Sequence, residues 1–318
     1  MTPAVALLAG AIVITLWGHR VLARMLNSRV EPQVALVSWL VLVGCCLLSI
    51  GIAVGLVLLP GHGPAHGIMQ VIHHCWSHVR PDAMPWYVTV PGVLVSVVVV
   101  LAGARVAVAI IGHLRAGRAL HRRHVETLRI VARSEPGEYP TMWLDHDEPL
   151  AYSVSGRPSM VVATSGLHDR LSRSSVAAVI AHERAHIRGN HHLLVGIAEA
   201  LAKSLPMLPF ARNSPKFVRA MVELSADRSA ARRHGAPSVR AALLAMAGVS
   251  TPPHVLGMAQ DSVTMRLDRL ENSDVRKSAG RRRLGASLAG VAVVAASLTI
   301  SSSVLAAATT VVCPLLSH

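Results

Sequence analysis

The chain has 318 residues, of which 52% are hydrophobic, 15% charged and only 3% aromatic, and its mean hydropathy is positive. That balance excludes an ordinary soluble domain, and the apolar residues gather into four runs, the arrangement of a membrane protein in contact with a lipid bilayer. The net charge of +14 comes from basic residues that flank those runs, and there is no aromatic platform for bases, so the charge reads as topology and no direct nucleic-acid binding is expected.

Residues 5–17 are apolar and are followed by His19, Arg20, Arg24 and Arg29. Positive charge after an apolar run rather than before it argues against a secretory leader, so this is a short first span. Residues 34–59 are 26 positions without a charge, long enough to cross with some tilt. Cys45 and Cys46 lie inside this run and read as packing residues. Residues 60–85 form a Pro/Gly/His loop with His62, His66, His73, His74 and His78, which lack helical spacing and read as polar rather than metal-binding. Trp86 and Tyr87 open a third span through residue 104 as an aromatic belt would, with Arg105 near its inner end.

From residue 113 to 283 the composition changes, with 26 Lys or Arg against 15 Asp or Glu. A basic amphipathic helix is expected over 114–131, then strands over 150–154 and 160–164 around a Ser155-Gly156 turn. Helices are expected over 174–188, 193–205, 215–233 and 238–248, with Pro206 and Pro209 separating the second from the third. Residues 193–210 are apolar enough to touch a bilayer, but Glu199 and Lys203 argue against a full span. Arg281, Arg282 and Arg283 anchor a fourth span from residue 284 to about 312. The basic loops place 18–33 and 113–283 in the cytoplasm, and 60–85 and the C-terminus outside. Three parts follow: three spans in 1–112, a cytoplasmic domain in 113–283, and a last span with a short tail in 284–318. Cys75 and Cys313 then share the oxidising side and are a candidate disulfide, provided that their Cα atoms approach within about 7 Å.

The chemistry centres on His182-Glu183-x-x-His186, set in an apolar, Ala-rich helical run. Two His one turn apart share a helix face and can reach one ion, while Glu183 lies where a carboxylate takes a proton from water. Glu223, on a second helical run, can complete a His2Glu zinc site, one ion per chain, with the fourth position open. Asp227, one turn beyond Glu223, can accept a proton from a ligand imidazole and hold its tautomer. For the oxyanion, His191, His192, Tyr152 and Arg228 are available, and spacing does not choose among them. The 160–164 strand could offer an edge to a substrate backbone.

With Glu223-Leu224-Ser225-Ala226-Asp227, the Gly166-to-Leu171 lead-in and the order of spans, the chain resembles the M56 metallopeptidases, BlaR/MecR-type membrane proteins. The resemblance implies a mainly α, four-span integral membrane protein with a cytoplasmic zinc metallopeptidase domain of the gluzincin type. In that family His182, His186 and Glu223 would bind zinc and Glu183 would be the catalytic base. It also implies a protein substrate, a cytoplasmic transcriptional repressor, and a role in signal transduction. No residues follow His318 for an outer penicillin-binding domain, so β-lactam sensing by this chain alone is not expected. The M48 group (HtpX-like membrane quality-control proteases) shares the same chemistry and is the nearest competitor. A non-proteolytic transducer with structural zinc would not need Glu183, and a transporter finds no charged pathway in these spans.

Overall fold

The structure, a computed structural model, describes residues 2–27, 30–58, 86–247 and 263–271. The His-rich loop, the Cys75–Cys313 pair and the fourth span lie outside the described residues. Two long helices, α1 (Thr2–Asn27) and α2 (Pro32–Leu58), pack as a hairpin. Within α2, Pro32–Ile52 is long and apolar enough to cross a membrane, alone among the described residues, and only a third of it is buried by the rest of the protein. A soluble core helix of that composition would be covered; this one leaves Val37, Leu47, Leu48 and Ile52 exposed.

The third apolar run and the basic amphipathic helix are one element, α3 (Trp86–Val131), 46 residues and about 69 Å long. The Gly112–Gly117 region contains no proline, so nothing in the sequence obliges the helix to stop between its apolar and basic halves. Four short strands follow, β1 (Arg133–Glu135), β2 (Thr141–Leu144), β3 (Ala151–Val154) and β4 (Met160–Thr164). Their order in the sheet is β1-β2-β4-β3, with β2 and β4 parallel and the outer pairings antiparallel.

β4 is buried along its whole length, with alternate residues serving two layers. Val161 and Ala163 pack on Val176 and Ile180 of α5 (Arg173–Arg188), while Met160 and Val162 meet Val125 and Leu128 of α3. The edge strand on the α5 side is therefore β3, not the 160–164 strand expected to present an edge. The short α4 (Gly166–Arg170) leads in, and a Cβ on Gly166 would meet the Asp147 carbonyl oxygen at 2.1 Å, so the approach requires glycine.

Helices α6 (His191–Ser204), α7 (Pro209–His234), α8 (Ala236–Ala247) and α9 (263–271) complete the described chain. α7 starts at Pro209, six residues earlier than expected, because a proline in the first turn sacrifices no helical hydrogen bond; Pro215 is carried inside the helix. One core joins α7 to the hairpin and α6, with Trp39, Leu36, Phe217, Val218 and Met221 at its centre. Trp39 donates its indole N–H to Ser214 Oγ at 2.9 Å, satisfying the polar atom of a fully buried ring.

Candidate metal centre

α5 is capped by Ser172, whose side chain accepts the Ser175 N–H. Its apolar face, Val176, Ile180 and Ile187, is pressed on the sheet, and this fixes the roll of the helix. His182 and His186 then point toward α7. α7 is held in turn by Ala230 against Ala178 and Ala181, small residues that let the two helices approach closely. The result brings one nitrogen of each histidine and one Glu223 oxygen within 4.8 Å of one another. The two Nε2 atoms face each other at 3.1 Å, and Glu223 oxygens lie 3.4 Å from His182 Nε2 and 3.5 Å from His186 Nε2.

The partners of the other ring nitrogens turn these rings. His182 Nδ1 is 3.0 Å from Asp227 Oδ1, and a carboxylate can only accept, so Nδ1 carries a proton and Nε2 faces Glu223, where a metal ion would displace its remaining proton and free the lone pair. His186 Nδ1 is 3.1 Å from Nδ1 of the buried His191. With His186 donating and His191 accepting, the second Nε2 lone pair converges with the first. Two imidazole nitrogens and a carboxylate oxygen in that arrangement fit zinc.

The electrostatics agree. Burial pulls His182 down, but its hydrogen bonds to Asp227 and Glu223 carry it up to about 9. His186 is pushed down to about 3 by burial and by the charge on His182. Burial opposes the charge on Glu223, yet His182 and Arg266 hold it down at about 2. The cluster is an electrostatic well for positive charge, which a divalent cation can fill in place of a proton.

Glu183 lies near Ser153 of β3, whose side-chain and backbone donors favour its charged form. Burial raises its pKa, partly offset by His182 and Ser153. His192 Nε2 lies 3.0 Å from Ser153 Oγ, so His192, Ser153 and Glu183 form a chain along the strand edge. Of the four oxyanion candidates, His191 and His192 stand beside the cluster. Arg228 does not: it pairs with Glu31 at 2.8 Å at the foot of the α1–α2 hairpin.

Two participants carried no signal in the sequence. Ser153 is one polar residue of a strand. Arg266 is one of 31 basic side chains, yet it forks onto Asp227 at 2.6 and 2.7 Å and reaches Glu223 at 3.2 Å. Burial disfavours its charge, but Asp227 and Glu223 more than compensate and raise its pKa.

Residues 115–251, less than half of the chain, match the model of Peptidase family M48. The chain is 36% identical over 87 residues to a protease HtpX homolog of Limosilactobacillus reuteri, covering 26% of this chain and 28% of that protein. It is 37% identical over 67 residues to one from Salinibacter ruber and 39% over 67 residues to one from Leuconostoc mesenteroides. These cover 20% of this chain in each case, and 24% and 23% of the relatives. The chain thus spans about a quarter of the length of the curated relatives it matches. No solved structure matches. These findings overturn the M56 resemblance: the two groups share the His2Glu chemistry, and the matched segment points to M48. With the M56 reading go the signalling role and the repressor substrate. The segment that holds the site is similar to peptidases of family M48.

Proposed function

We infer that this chain is a membrane-bound zinc endopeptidase of the HtpX-like kind, cutting polypeptides laid along β3. The observation that carries the reading is the convergence of His182, His186 and Glu223 within 4.8 Å, with Glu183 beside them. His182, His186 and Glu223 would hold the zinc, which when bound acidifies water and polarises a carbonyl.

The protein's own groups do the rest. Glu183 takes a proton from the attacking water and passes it to the leaving amine. Ser153 holds the Glu183 carboxylate in place, and His192 holds Ser153. Asp227 and His191 keep both imidazoles in the tautomers that bind metal. Thr164 N–H donates to the Leu150 carbonyl, so the β3 ladder to β4 runs through even-numbered residues; Ala151 and Ser153 turn their backbone groups outward. A substrate strand can add to that edge next to Glu183. Four spans, with the metal side in the cytoplasm, accommodate the charge distribution and the exposed apolar face of α2.

The test uses the purified full chain in detergent with casein as probe. Zinc-loaded wild type should cleave it. Glu183→Gln should be inactive with zinc retained, and His182→Ala or Glu223→Ala should lose the zinc as well. Wild-type cleavage rates in Glu183→Gln would rule the mechanism out.

A further inference from the structure

The hairpin between α6 and α7 carries an exposed apolar tip whose position relative to the spans is fixed by contacts. Ser204 Oγ reaches the Arg105 carbonyl of α3 at 3.5 Å, and Phe210 packs against Gly18 of α1, where a Cβ would meet its ring at 2.8 Å. Gly18 marks the end of the apolar run of α1, beyond which lie exposed Ile12, Val13 and Leu16. Arg105 is a lone charge within the apolar part of α3, with exposed Leu94, Val98 and Leu101 on one side of it and exposed Val108 and Ile111 on the other before the run ends at Gly112. Trp17 stands at the same level, 60% exposed, with the Arg20 guanidinium 5.7 Å over its ring. An exposed Trp beside Arg at the end of an apolar helix is the signature of a headgroup layer.

Between those two contacts lies Met207, 90% exposed, beside exposed Pro206. Lys203 and Arg212 flank the tip, and Arg20 and Arg105 on the neighbouring helices are exposed as well. No acid interrupts this collar: α1 has none, α2 has none, and the first in α3 is Glu126. The nearest acid on the hairpin, Glu199, is paired with Arg219.

We propose that the tip at residues 204–212 seats in the headgroup layer of an anionic phospholipid membrane, with Met207 among the upper acyl chains and Lys203, Arg212, Arg20 and Arg105 facing lipid phosphates. The chemistry favours lipid over a second copy, because two such faces would set like charges against each other. α7 then runs from the bilayer surface straight to the site, since Glu223 is 14 residues past Pro209, about 21 Å along the helix. The proposal rests on the membrane reading above and adds a contact that no span supplies.

The experiment places the wild-type full chain in vesicles of phosphatidylcholine, with or without an equal part of phosphatidylglycerol, that carry photoreactive acyl chains. Trypsin cuts after Lys203 and Arg212 and releases the tip as one peptide for mass spectrometry. Lipid adducts are expected on this peptide and on peptides from α2, with tip adducts rising several-fold in the anionic vesicles. In a Lys203→Glu/Arg212→Glu variant, mapped with chymotrypsin, that rise should vanish. Labelled α2 with an unlabelled tip overturns the proposal and leaves the membrane reading standing. If neither is labelled, the membrane reading falls and the proposal with it. Cross-links between two copies through Lys203, without lipid adducts on the tip, overturn it in favour of self-association.

Discussion

Arg266 holds Asp227 by two hydrogen bonds, Nε to Oδ2 at 2.6 Å and Nη2 to Oδ1 at 2.7 Å, and the Oδ1 it touches is the atom that orients His182. Asp227 is 2% exposed, so without this fork its charge would be buried with one histidine for a partner. The contact joins residues 39 apart in sequence and makes α9 part of the metal centre.

Arg266→Gln should therefore weaken zinc retention about 10-fold or more, the range for losing a group that supports a ligand. Competition against a graded series of chelators measures it. Arg266→Lys should recover only part of the loss, because an ammonium cannot make both bonds. Wild-type zinc affinity in Arg266→Gln would mean that the fork is only structural.

The same contact has a pH signature in metal-free protein. Asp227 is held below its usual range against burial by Arg266 and His182, and Glu223 is held at about 2. A depressed carboxylate pKa contributes stability that is complete above the unfolded value, near 4, and is lost as pH falls through the folded value. Thermal unfolding scans of wild type should show Tm declining as pH drops below about 4. In Arg266→Gln both folded pKa values rise toward ordinary ones, so this contribution shrinks and the acid decline shifts. Identical acid limbs in the two proteins would refute the account.

Ala151→Pro tests the strand edge. Residue 151 turns its N–H away from β4, so proline there spares the ladder while removing a donor to a substrate backbone. Casein cleavage should fall with KM rising, while zinc content and Tm stay near wild type. Tyr152→Pro, which breaks the ladder itself, should lower Tm as well. Undiminished cleavage by Ala151→Pro would exclude β3 as the docking edge.

Orientation is tested by reporters fused near Gly137 and near Gly63. The first should report a cytoplasmic position and the second an external one, following the surplus of Lys and Arg in residues 113–283. Accessibility of the 113–283 segment from outside intact cells would reverse the topology.

What the sequence determined by itself is local. A helix places residues four apart on one face whatever surrounds it, so His182 with His186, and Glu223 with Asp227, could be read as two half-sites. Uninterrupted apolar length marked α2 in the same way. The tertiary structure decided what depends on partners distant in the chain. Strand order came from the pairing of β4 with both β2 and β3, which moved the free edge to Ser153 and Glu183. The second supports, His191 behind His186 and Arg266 behind Asp227, came from how α6 and α9 pack. A buried charge must be matched by whatever group the fold brings within hydrogen-bond reach, and that group leaves no periodic trace of its role in the sequence.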